Sequence, residues 1–184
     1  MKKYAVTITG ISPLLMNRPS AMIADISKDK KPFEDNPKGM AESKLYVNSD
    51  GKLYQPSTHI MGSLVEAGKQ KKVVGKGKAT YSKIVGYAVQ VEPYEILHKK
   101  QKWDVFSVLA VNPTTKGRNM LSRPILKSWE LDFEITFDNE EIQVPIMKEL
   151  LEIAGKVAGL GDWRPAKKGP YGKFQVTSFK EIKI

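Results

Sequence analysis

Trp129-Glu-Leu-Asp-Phe-Glu-Ile-Thr-Phe137 decides the fold. Every odd position is large and apolar and every even one polar, the two-residue period of a strand with one face in a core. The polar face carries Glu130, Asp132 and Glu134, so it is negative. Past Asp138 and Asn139, the residues Ile146, Leu150, Ile153, Ala154 and Val157 recur at helical spacing and predict an amphipathic helix ending at Gly159. A last strand is expected from Phe174 to Ile182.

The N-terminal half repeats the pattern. Tyr4 to Thr9 alternates as a strand and ends at Gly10, followed by the apolar exit Ser12-Pro13-Leu14-Leu15-Met16. Leu45 to Tyr54 reads as a short hairpin around Asp50-Gly51. Gln55-Pro56-Ser57-Thr58 opens a helix reaching about Gly68, with Ser57 or Thr58 placed to cap its first turn and Ile60, Leu64 and Ala67 on one face. Tyr87, Val89 and Val91 alternate as a second strand stopped by Pro93. The order strand, helix, strand, strand, helix, strand is the split βαββαβ arrangement, an α+β fold of the ferredoxin-like or RNA-recognition-motif type. The expectation is a single domain over residues 1–184 with two insertions, 17–44, irregular and punctuated by prolines, and 94–128, a projecting basic β-hairpin.

Composition narrows the function. With 184 residues and no cysteine there is no disulfide framework or thiolate metal site, and two histidines, His59 and His98, make a zinc centre improbable. No metal and no cofactor are expected. No apolar run approaches the ~18 residues that cross a bilayer, and the N-terminus alternates like a strand instead of reading as a secretory signal, so no membrane partner and a cytoplasmic location are expected. The formal net charge of +10 is segregated: residues 130–152 hold eight acids against Lys148 alone, so the remainder carries +17. Clustered cations of this kind favour a polyanion, because they release the counterions condensed on phosphates.

The cations fall in three groups. Gly159-Leu-Gly-Asp-Trp-Arg-Pro-Ala-Lys-Lys-Gly-Pro-Tyr-Gly-Lys-Phe174 interleaves Gly161, Arg164, Lys167, Lys168 and Lys173 with Trp163 and Tyr171 between helix and strand. Turned peptide N–H groups beside cations and stacking rings suit a sugar-phosphate chain. Lys69 to Lys83 holds six lysines and no acid, among them Lys69, Lys71, Lys72, Lys76 and Lys78. It follows the first helix, whose N-terminus, with Ser57 and His59, is partly positive. The 94–128 excursion adds Lys99, Lys100, Lys102, Arg118, Arg123 and Lys127, with Trp103 as a third candidate stacking ring. The acidic strand argues against the open-sheet mode of an ordinary RNA-recognition motif, since phosphates would meet Glu130, Asp132 and Glu134 there.

Three local features resemble the RAMP superfamily, the repeat-associated proteins that build CRISPR effector complexes and process guide RNA. The segment from Gly159 through Arg164 to Phe174 is similar to that superfamily's C-terminal glycine-rich loop. Leu53-Tyr-Gln-Pro-Ser-Thr-His-Ile-Met-Gly62-Ser-Leu resembles the lead into the first helix of the backbone subunits, and Ile11-Ser-Pro-Leu-Leu15 their apolar exit from the first strand. The resemblance implies a protein that grips a single-stranded backbone with first helix, glycine loop and protruding hairpin, as a homo-oligomer along the strand or within a multi-subunit ribonucleoprotein. A phage or mobile-element binder on the same fold fits equally. RNA and single-stranded DNA both remain open.

Sequence-tolerant binding without turnover is the expectation, set against two alternatives. One is a RAMP-type endoribonuclease, with His59 as general base beside Lys69 or Arg164, or a loop aspartate such as Asp25, Asp29 or Asp35 working with a metal. The other is a protein-only assembly subunit.

Overall fold

The computed structural model describes residues 1–19, 36–111, 114 and 116–183. Among them run the strands β1 (Lys2–Gly10), β2 (Leu14–Leu15), β3 (Tyr54–Pro56), β4 (Val89–Glu92), β5 (Glu95–Leu97), β6 (Asp104–Val111), β7 (Arg118–Leu126), β8 (Glu130–Phe137) and β9 (Phe174–Ile182). The α-helices are α1 (Pro37–Glu42), α2 (Ser57–Gln70), α3 (Tyr81–Ala88) and α4 (Val144–Ile153), the last widening into a π-turn over Ala154–Ala158. Asp25, Asp29 and Asp35 lie outside the described residues.

β1-α2-β4-β8-α4-β9 forms the split βαββαβ core. Its sheet has the order β4-β8-β1-β9, and each neighbouring pair is antiparallel. The register follows from the alternation in β8: Leu131, Phe133 and Ile135 stand opposite Ile8, Val6 and Tyr4, so one shared face is apolar. A one-residue slip would expose every one of these side chains. Ile60, Leu64 and Ala67 of α2 and Met147, Leu150 and Leu151 of α4 close over that face.

The opposite face is polar but less negative than β8 alone suggests. Lys99 pairs with both Glu130 and Asp132, and Lys3 reaches Glu134 at 2.7 Å. Thr7 donates to Asp132 at 2.7 Å. The outward positions of β1 and β8 carry no aromatic side chain.

Several expectations need correction. Residues 81–88 are helix, not loop and strand: Tyr81, Ile84, Val85 and Ala88 recur three and four apart and bury on one side, and only Val89 and Val91 carry the strand alternation. The irregular 17–44 insertion contains α1, started by Asn36, whose side chain accepts from the Gly39 N–H at 2.9 Å. Of the predicted stripe of α4, Leu150 and Ala154 are fully buried and Ile146 and Ile153 pack partly buried against the core; Met147 and Leu151 complete the buried side, and only Val157, within the π-turn, is exposed. Neither Ser57 nor Thr58 caps α2 with its side chain; Ser57 is buried and its N–H donates to the Tyr94 carbonyl at 2.8 Å. His98, which lies in the basic 94–128 excursion, is buried beside Trp129, with ring centroids 6.5 Å apart. Trp103 packs against the core.

Candidate nucleic-acid interface

The glycine loop folds upon itself and upon the exit from β1. Gly161, at φ 74°, has no room for a side chain, since a Cβ would collide with the Leu15 carbonyl oxygen. Gly172, at φ 72°, meets the Leu160 carbonyl in the same way. The glycines therefore admit the protein's own backbone. The loop N–H groups are spent accordingly: Asp162 donates to Leu15 O at 2.8 Å, Leu160 to Gly172 O at 2.9 Å, Gly172 to Pro13 O at 2.8 Å and Gly169 to Arg164 O at 3.0 Å. This corrects the picture of a nest of free N–H groups. What the loop presents outward is side chains.

Those side chains help line a cleft of about 270 Å³. One wall is the loop (Gly159, Leu160, Gly161, Asp162, Arg164), another the first two turns of α2 (Thr58, His59, Gly62, Ser63), with Met16, Asn17, Tyr46 and Gln55 completing it. Two of the three segments that carried the family resemblance thus meet here, the lead into the first helix and the glycine loop; the third, Ile11 to Leu15, adjoins them through the Leu15 carbonyl, which accepts from the Asp162 N–H. The positive end of a 14-residue helix helps to set the cleft's potential. Arg164 is fixed by a hydrogen bond to its own loop, Nη1 donating to Gly161 O at 3.1 Å.

His59 is oriented from beneath. The Gln55 amide nitrogen lies 2.5 Å from His59 Nδ1, and the Tyr46 ring stands edge-on to the imidazole at 5.3 Å. The Gln55 amide and the Tyr46 ring edge thus fix the plane and orientation of the imidazole. Burial, and secondarily the Arg164 charge, hold the His59 pKa below its ordinary value. At neutral pH the His59 ring is accordingly uncharged. Gln55, which sequence reading passed over, is 1% exposed, and its carbonyl oxygen has no hydrogen-bond partner among the described residues. The only signal for it was the Gln-x-x-x-His spacing across a helix start.

The projecting hairpin is β6 paired with β7 from Asp104↔Ile125 to Val111↔Arg118, about 25 Å at the usual strand rise. Its base joins the cleft: β2 pairs with β7, Leu15 bridges Asp162, and Arg123 Nε donates to Asp162 Oδ2 at 3.0 Å. Rings add a second tie, Phe106 to Tyr171 at 5.6 Å and Tyr171 to Trp163 at 5.7 Å. Trp163 is 43% exposed and held at φ 46°, uncommon for a bulky residue. Lys167, Lys168 and Lys173 are exposed on the same loop, and Arg118 is exposed toward the far end of the hairpin.

The lysine run sits elsewhere. It begins at the C-terminal end of α2, where a rise of ~1.5 Å per residue sets Lys69 ~15 Å along the helix from His59. Lys69 pairs with Glu66 at 2.6 Å and Lys71 with Glu149. Lys72, Lys76 and Lys78 belong to the turn before α3. The predicted site residues therefore divide into one convergent set around Arg164 and His59 and one remote set. Among the described residues no cluster of His, Cys, Asp or Glu could hold a metal ion, and no helix is long and apolar enough to cross a membrane.

Comparison with known proteins gives no matching family model and no match among curated proteins. Solved structures do match. The chain superposes on a chain of a Type III-B Cmr-beta complex, determined by cryo-electron microscopy bound to cognate target RNA, with a TM-score of 0.61 at 15% identity. The match covers 99% of this chain and 61% of that one, so the protein spans about three fifths of the length of the chain it resembles. At that identity the shared property is the fold, a ferredoxin-like core with helices on one face.

Proposed function

We propose that the protein binds single-stranded nucleic acid, with RNA as the favoured strand, by holding its sugar-phosphate backbone in the cleft between glycine loop and first helix. The observation that carries this reading is the convergence of Arg164, the His59 imidazole and the α2 N-terminus on one concave site, flanked by exposed Trp163 and by Lys167, Lys168 and Lys173. Cations and helix end attract phosphate, and an exposed indole offers sequence-tolerant stacking. The likeness in fold to a chain of an RNA-bound Cmr complex supports RNA over DNA, and work within a multi-subunit ribonucleoprotein over work alone. Copies lying side by side along one strand are the homo-oligomeric form of the same proposal. The remote lysine run contributes long-range attraction, not contact.

Binding needs only the cation and the helix end on the cleft wall, whereas the endoribonuclease alternative also asks His59 to accept a proton from a bound strand. Binding without cleavage is accordingly the first reading. Fluorescence anisotropy with matched single-stranded RNA, single-stranded DNA and duplex at two salt concentrations tests it. Salt-sensitive binding strongest for single-stranded RNA and reduced in Arg164→Ala supports the proposal; RNA cleavage abolished by His59→Ala with affinity retained would replace it with the enzyme.

A further inference from the structure

The cleft floor holds one polar group that the protein leaves half unserved, the amide of Gln55. Gln55 stands in β3, paired with Ile96 of β5 and two residues ahead of the first residue of α2. Its ribbon is clamped in place: Gln101 Oε1 accepts from the Leu53 N–H at 2.5 Å, and Gln101 Nε2 donates to the Leu53 and His98 carbonyls at 3.1 and 2.6 Å. Gln55 lines the cleft although it is 1% exposed, so only a group that enters the floor can reach it. One end of the amide meets His59 Nδ1 at 2.5 Å, and the other has no hydrogen-bond partner among the described residues. Burial strips such an atom of water, which is why buried amides are normally paired at both ends. Along a sugar-phosphate chain the phosphate and ring oxygens only accept hydrogen bonds. The ribose 2′-hydroxyl alone donates, and it accepts as well, so it satisfies the amide with either its oxygen or its nitrogen turned to the cleft. A deoxyribose chain offers nothing in that place.

We infer that Gln55 selects ribose over deoxyribose, its unpaired amide atom taking the 2′-hydroxyl of a nucleotide whose phosphate lies against Arg164 and the α2 N-terminus. This rests on the nucleic-acid reading and names the group within it that tells RNA from DNA. Arg164 and the helix end share the cleft with Gln55 and address the backbone, which brings a sugar to the floor and leaves the bases to the exposed rings. Discrimination of this kind is independent of base sequence. A site built to hydrogen-bond a hydroxyl rejects the analogue that lacks it, because its own buried polar group is then left unpaired.

Anisotropy across a salt series compares matched single strands of RNA, of DNA and of 2′-fluoro RNA, which keeps a ribose-like sugar pucker but cannot donate. Thermal melting checks the fold of each variant. The unaltered protein is expected to bind RNA about fivefold more tightly than the 2′-fluoro strand, the worth of one net hydrogen bond, and DNA no more tightly than the 2′-fluoro strand. Gln55→Met, similar in length but apolar at its end, should remove the preference for RNA. Lys180→Gln, which removes an exposed charge on β9, should leave it unchanged. A Gln55 that served only to hold His59 or the ribbon would, when replaced by Met, weaken every strand alike with the preference kept, and that result overturns the assignment. Equal binding of RNA and the 2′-fluoro strand by the unaltered protein overturns it too. Should Gln55→Met fail to fold, Gln55→Asn, whose amide is withdrawn by one methylene, carries the test with the same expectation. These outcomes leave backbone binding itself intact, whereas the absence of salt-sensitive affinity for any single strand removes the nucleic-acid reading and the ribose selection with it.

Discussion

Lowering the pH below neutrality should destabilise this protein through one side chain, His98. It is 2% exposed, neither ring nitrogen has a hydrogen-bond partner among the described residues, and burial alone pushes its pKa from 6.5 to about 4. The unfolded chain, with an ordinary imidazole, takes up a proton first as the pH falls. Stability from neutral His98 is therefore complete above pH 6.5 and is lost between there and about 4, at ~1.4 kcal/mol per pH unit. The full interval is worth ~3 kcal/mol, a large fraction of a typical folding free energy. At pH 5, before most carboxylates titrate, roughly 2 kcal/mol should already be gone. Urea unfolding of the unaltered protein and His98→Leu at pH 7 and pH 5 isolates the contribution, because His59, also depressed, is present in both. The unaltered protein should lose ~2 kcal/mol more than the variant between the two conditions. Equal losses would refute the reasoning and mean that His98 finds a proton partner or water in solution.

Gly161→Ala should cost several kcal/mol, because a side chain there combines an unfavourable positive φ with a collision against the Leu15 carbonyl; a fall in melting temperature by calorimetry checks it. Trp163→Ala should weaken single-strand binding by roughly 1–3 kcal/mol with little change in stability, read as affinity alongside melting, since the indole is largely outside the core. Lys71→Gln should change affinity much less than Arg164→Ala at physiological salt, as Lys71 is paired with Glu149 far from the cleft; anisotropy on the same RNA compares them. Asp162→Asn should loosen the hairpin base and free Arg123, seen as faster amide hydrogen exchange in β7.

The core was legible because its signals are periodic. Trp129 to Phe137 fixed a strand and its inward face, and with the helix at Ser57 and the strand at Phe174 it implied the sheet that forms. Two-residue and 3.6-residue periods survive in any environment that buries one side. The α3 helix escaped notice because its apolar residues follow a lysine-rich turn and run without interruption into Val89 and Val91, where the two periods overlap. At the site, Arg164 and His59 could be named as a pair, since glycine loops and helix starts advertise themselves. Gln55 and Tyr46 could not, because their importance comes from being brought against His59 in a cleft whose other wall, at Arg164, lies 109 and 118 residues further along the chain. The lysine run misled for the converse reason: charge density along the sequence says nothing about which end of a 14-residue helix it occupies.

The Arg123–Asp162 pair and the Phe106–Tyr171 contact both grip the hairpin near its root, while its outermost pair, Val111 and Arg118, stands away from them. The protruding arm is thus a cantilever. Lengthening or exchanging its outer rungs would change how far the protein reaches along or between neighbours without disturbing the rooted end, so evolution and protein engineers alike have one dimension of this molecule to adjust almost independently of the rest.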